Sequence, residues 1–210
     1  MQMILKKFVS FVMLAVFMIS ACGCKTDVKN AETVVKAYMT AVSSYNLDIM
    51  KTFLSDGTNK DFGIDAEEIS ETLLQIGINA KSAETMIKSL AGTIGYTINS
   101  TEKTNRKTVV VDMTVQYPEV EQETVRQYIQ QQADAYISTN SRYSSKTGIE
   151  QRNIYIAVMV EAYKTYLQTQ NKISRDVSIT LVKKDGTWKI LNGAENRDLA
   201  QLLADIFATF

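Results

Sequence analysis

The chain of 210 residues holds two thiols, Cys22 and Cys24, and no histidine. A thiolate is both a nucleophile and a soft metal ligand. With one residue between them, the two thiols do not pair with each other. Every residue beyond Cys24 therefore lies in a segment with no disulfide, no thiolate nucleophile and no Cys metal ligand. The missing histidine removes Ser-His-Asp and Cys-His nucleophile systems, His-bound zinc and His general bases. Glycines stand singly at expected helix ends and turns, so no phosphate-cradling loop is present. The scattered Asp and Glu residues lack calcium-loop spacing. No cofactor and no metal follow from these residue types.

The setting of Cys22 is more specific. Lys6 and Lys7 precede the apolar stretch from Phe8 to Ala21, and Ser20 and Ala21 stand directly before the cysteine. An apolar run of about fourteen residues is a secretory h-region by length, since a span needs about 20. Ile19-Ser20-Ala21-Cys22 resembles the bacterial lipobox. The resemblance implies lipidation of the Cys22 thiol, cleavage before Cys22 and a chain held at the outer face of the cell membrane. Extended to Cys24, the run reaches about seventeen residues, the lower limit for an uncleaved anchor helix. Ordinary secretion with cleavage is a third reading. Cys24 is then a spare thiol in the tether, a second acylation site or half of an intermolecular disulfide. Two acyl chains hold a protein firmly where one holds it marginally. A tether over 22–29 reaches at most about 30 Å.

Without residues 1–21 the balance is 21 basic to 23 acidic side chains, from 23 of each in the whole chain less Lys6 and Lys7. A net charge near −2 gives no case for nucleic acid or for an anionic membrane surface. The remaining length suits one core with an insertion.

Hydrophobic spacing then places the elements. Asn30 is set to cap a helix to about Tyr45, with Val34, Val35, Tyr38, Val42 and Tyr45 as its stripe. Asn46 or Asp48 opens a short helix over Leu47 to Leu54, closed by Gly57. Asp65 and Glu68 suggest a capping box for a helix with Ile69, Leu73 and Ile76, stopped at Gly77. Ser82 starts another helix, with Ala83, Met86, Ile87 and Leu90. Alternation at Ile94, Tyr96 and Ile98, a polar turn from Thr101 to Lys107, and alternation from Val109 to Tyr117 predict an antiparallel hairpin ended by Pro118. Two long helices follow, about Glu119 to Thr139 and Ile149 to Gln170, as an antiparallel pair. The first carries Val125, Tyr128, Ile129, Ala133, Tyr136 and Ile137, and the second Ile154, Tyr155, Val158, Ala162, Tyr166 and Leu167. A strand with Val177, Ile179 and Leu181, the Asp185-Gly186 turn and a strand with Trp188 and Ile190 make a second hairpin. Asn196 caps a last helix with Leu199, Leu202, Leu203, Ile206, Phe207 and Phe210. The fold class is α+β, one domain over 30–210 with a helical insertion at about 119–170.

The opening helix Glu32-Thr33-Val34-Val35-Lys36-Ala37-Tyr38-Met39-Thr40-Ala41, the segment Asn46-Leu47-Asp48-Ile49-Met50-Lys51 and the ending Lys184-Asp185-Gly186-Thr187-Trp188-Lys189-Ile190 are similar to cystatin-like, nuclear-transport-factor-2-like lipoproteins of low-GC Gram-positive bacteria, many of unknown function. The resemblance implies a curved antiparallel sheet with N-terminal helices packed into its concave side, a cone that can hold a small molecule. The insertion departs from that pattern and raises the question of whether the cone is open. Some members of this fold are isomerases or cyclases that use a carboxylate base and a phenol facing an apolar cup. On this chain the corresponding candidates are Asp112, Tyr96 and Tyr117. Asp112 is out of phase with Val111 and Met113 and is more simply a solvated strand carboxylate. Tyr96 and Tyr117 fall on the apolar face as core aromatics.

The expected function is a membrane-anchored, non-catalytic domain that binds a protein partner or an apolar small ligand, with no role for nucleic acid. The alternative is a cup-shaped enzyme acting on an apolar small molecule, and a third is an envelope protein with no ligand. The helical-pair tyrosines Tyr128, Tyr136, Tyr143, Tyr155, Tyr163 and Tyr166 are mainly packing residues, some free to form a recognition surface. Gln127, Gln130, Gln131 and Gln132 read as a solvated face, and Trp188 as a core plug.

Overall fold

A computed structural model describes residues 24–55, 64, 66–75 and 77–208. The expectations for the leader, Cys22, Gly57, Asp65, Ile76 and Phe210 lie outside the described residues.

Helix α1 spans Cys24–Ser43. It starts six residues ahead of Asn30, so Cys24 to Lys29 form its first turns and Asn30 sits inside it. What holds those turns is distant in sequence. Asp27 accepts bonds from Lys103 Nζ and Lys183 Nζ, each at 2.8 Å. Helix α2 (Leu47–Phe53) is capped by Asn46, whose side chain accepts the Ile49 N–H. Helix α3 covers Ala66–Gln75, and Gly77 ends that segment at φ 86, a conformation glycine adopts freely. Helix α4 (Ala80–Ala91) begins earlier than expected. Asn79 is its cap, and Ser82 supplies the N–H that the Asn79 side chain accepts.

The sheet is a four-stranded antiparallel meander in the order β1-β2-β3-β4: Gly95–Asn105, Thr108–Pro118, Lys172–Lys184 and Thr187–Ile190. The expected turn from Thr101 to Lys107 is mostly strand. Thr101, Glu102 and Lys103 pair with Val111, Val110 and Val109, and register shifts near Asn99 and Thr104 mark local bulges. Polar side chains hid this strand because β1 is an edge, where such residues discourage further pairing. Asp185 and Gly186 make the β3–β4 turn with φ of 50 and 81, as a two-residue hairpin requires.

Val109, Val111, Met113 and Val115 of β2, with Val177, Ile179 and Leu181 of β3, bury one face of the sheet. Helix α1 lies on that face, with Val35, Tyr38, Met39 and Val42 wholly buried. The apolar face of the sheet is thus covered by α1. The insertion, α5 (Gln122–Thr139) and α6 (Gly148–Thr169), is an antiparallel pair that packs on the helical layer through α6 against α4. Thr147 opens α6 with a reciprocal capping box to Glu150.

The stripe of α6 differs from expectation at its start. Ile156, Val160 and Tyr163 are buried with Ala162, Tyr166 and Leu167, while Ile154, Tyr155 and Val158 are only half-buried. Helix α6 is apolar on two faces, one toward the body and one toward α5, so a single stripe could not be assigned from spacing.

Strand β4 pairs only with Leu181 to Lys184, which leaves the rest of the β3 edge open. Asn196 continues the pairing. Its side chain accepts the Thr180 N–H at 2.7 Å and donates to the Thr180 and Leu191 carbonyls. It stands before the last helix, α7 (Arg197–Phe207), but makes no side-chain cap bond because its amide is committed to the strand. Helix α7 then runs beside β3, with Arg175 Nη1 3.0 Å from Asp205 Oδ2. Leu199, Leu202, Leu203, Ile206 and Phe207 are all buried.

Candidate functional site

The candidate carboxylate and phenols do not come together. Asp112 lies on the outer face of the sheet, half-buried, in register with Ser100 of β1 and Ser178 of β3. Both serine hydroxyls donate to it, at 2.6 Å each. The Ser100 bond first, then the Ser178 bond, lowers its pKa below the ordinary carboxylate value. A base poised near neutrality needs the opposite shift. Beside it Asn99 Nδ2 donates to Thr114 Oγ1 at 2.9 Å, and the Thr114 hydroxyl donates to Asp176. These cross-strand rows make Asp112 part of a polar outer face.

Tyr96 and Tyr117 occupy the other face, in register with Val115 and Ile173. The Tyr96 hydroxyl donates to the Lys36 carbonyl at 3.4 Å. The sheet therefore separates the carboxylate from both phenols. Trp188 is buried against Lys183, whose Nζ lies 5.7 Å from its ring centroid.

A different concavity lies in the insertion. Helices α5 and α6 are joined by the Tyr128 and Tyr166 rings, 5.4 Å apart, and by the Tyr155 hydroxyl, which donates to Gln130 Oε1 at 3.0 Å. Burial, then the Glu121 charge, raises the Tyr166 phenol above its ordinary pKa. Along one side of the seam runs an open groove of about 680 Å³. Tyr128, Gln132, Ala135, Tyr136 and Thr139 form one wall, and Ile154, Ala157, Val158, Glu161, Ala162 and Thr165 the other. The three alanines keep the helix surfaces low, and the tyrosines and branched residues form apolar shoulders. Tyr136 is 38% exposed, and its hydroxyl accepts a bond from Asn140 Nδ2 at 2.9 Å.

A smaller cavity of about 130 Å³ lies where α3 and α4 meet the insertion, lined by Leu73, Ile78, Met86, Val125, Ile129, Met159 and Tyr163 among others. It is too small for a drug-sized ligand.

Of the tyrosines singled out in the helical pair, Tyr128 and Tyr136 reach the groove, while Tyr163 and Tyr166 are buried. Gln132 leaves the solvated glutamine face to join the groove wall. Ala135, Ala157, Ala162, Glu161 and Thr165 were not foreseen as site residues. The signal for them is the second apolar row of α6, Ile154 to Val158 to Ala162, with small residues opposite. Among the described residues no cluster of Cys, Asp or Glu has the grouping of a metal site. No helix among them is long and apolar enough to cross a membrane.

No family model matches this chain, and no curated protein matches it. Among solved structures, it is similar to a candidate lipoprotein, ycdA, from Bacillus subtilis, at 16% identity and a TM-score of 0.48. The match covers 83% of this chain and 54% of that one, so this chain spans about half of the neighbour's length.

Proposed function

We propose that the chain is an extracytoplasmic lipoprotein, anchored through Cys22 at the outer face of the cell membrane, whose α5–α6 groove receives an apolar segment of a partner protein. The groove carries this reading. It is open and lined mainly by apolar and aromatic groups, and it belongs wholly to the two-helix insertion. An open trough between two helices suits a ridge of side chains better than a small molecule, which is normally enclosed on most sides. Tyrosine at a half-exposed apolar surface is favoured at protein interfaces. The cystatin-like character of the remaining sheet and helices is part of the same proposal. It is supported by helices that precede an antiparallel meander and by α1 laid on the apolar face.

The anchor is tested by labelling cells with an alkyne fatty acid. Label and membrane retention are expected for the wild type, and both are lost in Cys22→Ala. The groove is tested by photo-crosslinking in living cells from residue 136 and from Gln116 on the outer sheet face. A discrete adduct is expected from position 136, absent from position 116, and abolished by Ala157→Trp, which fills the trough. Equal adducts from both faces, or an adduct unaffected by Ala157→Trp, would refute the groove as the binding surface.

A further inference from the structure

The first turn of α1 fixes which end of the domain carries the anchor. Cys24 is already helical, so Cys22 lies at most about 12 Å along the chain from Asp27, two extended steps and three helical ones. Asp27 in turn is bonded to Lys103 near the β1–β2 tip and to Lys183 near the β3–β4 turn. A lipid on Cys22 would therefore bring those two turns to the membrane.

That end is cationic. Lys29 on α1, Arg106 and Lys107 at the β1–β2 tip, and Lys184 beside the β3–β4 turn are all exposed. Among the described residues of these elements, the acidic groups at this end are Asp27, Glu102 and Asp185, against these four cations and Lys103 and Lys183, and Asp27 is already shared between two lysines. The excess contrasts with the slightly negative chain beyond residue 21. The pKa of Lys189 fits this setting, since burial first and the Lys184 charge second lower it. The charges come from three separate segments, so composition alone suggested no anionic surface. Attraction between a basic patch and anionic lipid falls off within about a Debye length, about 8 Å at physiological salt. An anchor at most about 12 Å along the chain from Asp27 lets the patch come within that range of the headgroups.

We propose that the end formed by the β1–β2 tip, the β3–β4 turn and the start of α1 docks on anionic lipid headgroups, fixing the orientation of the anchored domain. This rests on the lipid anchor at Cys22 proposed above. It does not depend on what the α5–α6 groove binds.

The test uses the lipidated protein carrying Cys24→Ser, reconstituted into phosphatidylcholine vesicles with or without phosphatidylglycerol. A fluorophore is placed on a single new thiol, either Asn105→Cys at the tip or Asn171→Cys at the far end of β3. Lys172 to Lys184 spans 13 residues, so these sites lie about 40 Å apart. Spin-labelled lipid is expected to quench the Asn105→Cys probe at least threefold more than the Asn171→Cys probe on phosphatidylglycerol vesicles. The difference should shrink in high salt, without phosphatidylglycerol, and in Arg106→Glu/Lys107→Glu. The milder Arg106→Gln/Lys107→Gln should give an intermediate result and guards against misfolding. Equal quenching at both sites in a protein that floats with the vesicles overturns the docking and leaves the anchor standing. A protein that does not float, like Cys22→Ala, overturns the anchor and the docking with it.

Discussion

Asp27 is the clearest point at which to perturb this fold. Its carboxylate joins the first turn of α1 to β1 and β3, strands on either side of β2. The Lys103 bond first, then the Lys183 bond, holds its pKa at about 2, against an ordinary 3.8. That gap sets a ceiling of about 2.4 kcal/mol on the linked stabilisation. The carboxylate is 15% exposed and its lysines 22% and 34%, so water and salt screen the contact and about 1 kcal/mol is the expected net value. Because the folded pKa is depressed, the contribution is complete above about pH 5 and disappears as pH falls through about 2. Asp27→Asn should lower the melting temperature at pH 7 by about 2–4 °C. Urea unfolding followed by circular dichroism should show the gap between wild type and Asp27→Asn closing between pH 5 and pH 2. Adding Lys103→Met and Lys183→Met should recover part of the loss by removing the unmatched cations. A gap that stays constant over that pH range, or no gap at pH 7, would refute the clamp.

Asn196→Ala removes three bonds and takes the partner from the Thr180 N–H and the Leu191 carbonyl, while the Thr180 carbonyl keeps the Leu191 N–H. A loss of about 2–4 kcal/mol is expected in urea unfolding, with Asn196→Asp no better because a carboxylate cannot donate to those carbonyls. Gly186→Ala meets no atom within 4 Å, so its cost, about 1 kcal/mol in thermal unfolding, is that of φ at 81 alone. Asp112→Asn keeps the shape of the outer polar row and should change stability by less than about 1 kcal/mol. Since its carboxylate pKa is lowered, the small contribution of Asp112 should be present at neutral pH and decline in acid, which a pH series of melting temperatures checks. Tyr136→Ala should leave stability within about 0.5 kcal/mol while removing the crosslink from neighbouring groove positions.

The elements were legible where their cause is local. The alternation of β2, the Asp185-Gly186 turn, the Asn46 cap and the apolar set of α7 each need only neighbours a few residues away. They stand where spacing placed them, as does the α+β class. The failures share a cause that spacing cannot contain. Asp27 draws α1 back to Cys24 through lysines 76 and 156 residues away. Polar Thr101 to Asn105 remains a strand because β2 supplies the pairing. Asn196 leaves its cap role because β3 outruns β4 and exposes a backbone edge. In each case a distant partner outweighs a local preference.

The same division between local and distant causes governs the site. Among the residues marked for chemistry by type, a period of two puts Asp112 on one face of the sheet and Tyr96 and Tyr117 on the other, and that phase keeps them apart. The groove is built instead from types with no chemical signature, alanine above all. An alanine matters there only because of what faces it across a helix pair, and that pairing depends on which face of α6 turns toward the body. Ile156, Val160 and Tyr163 take the body side, which leaves Ile154, Val158 and Ala162 for α5. The two-faced apolar pattern of α6 both defeated the single-stripe assignment and produced the surface on which the proposed function rests.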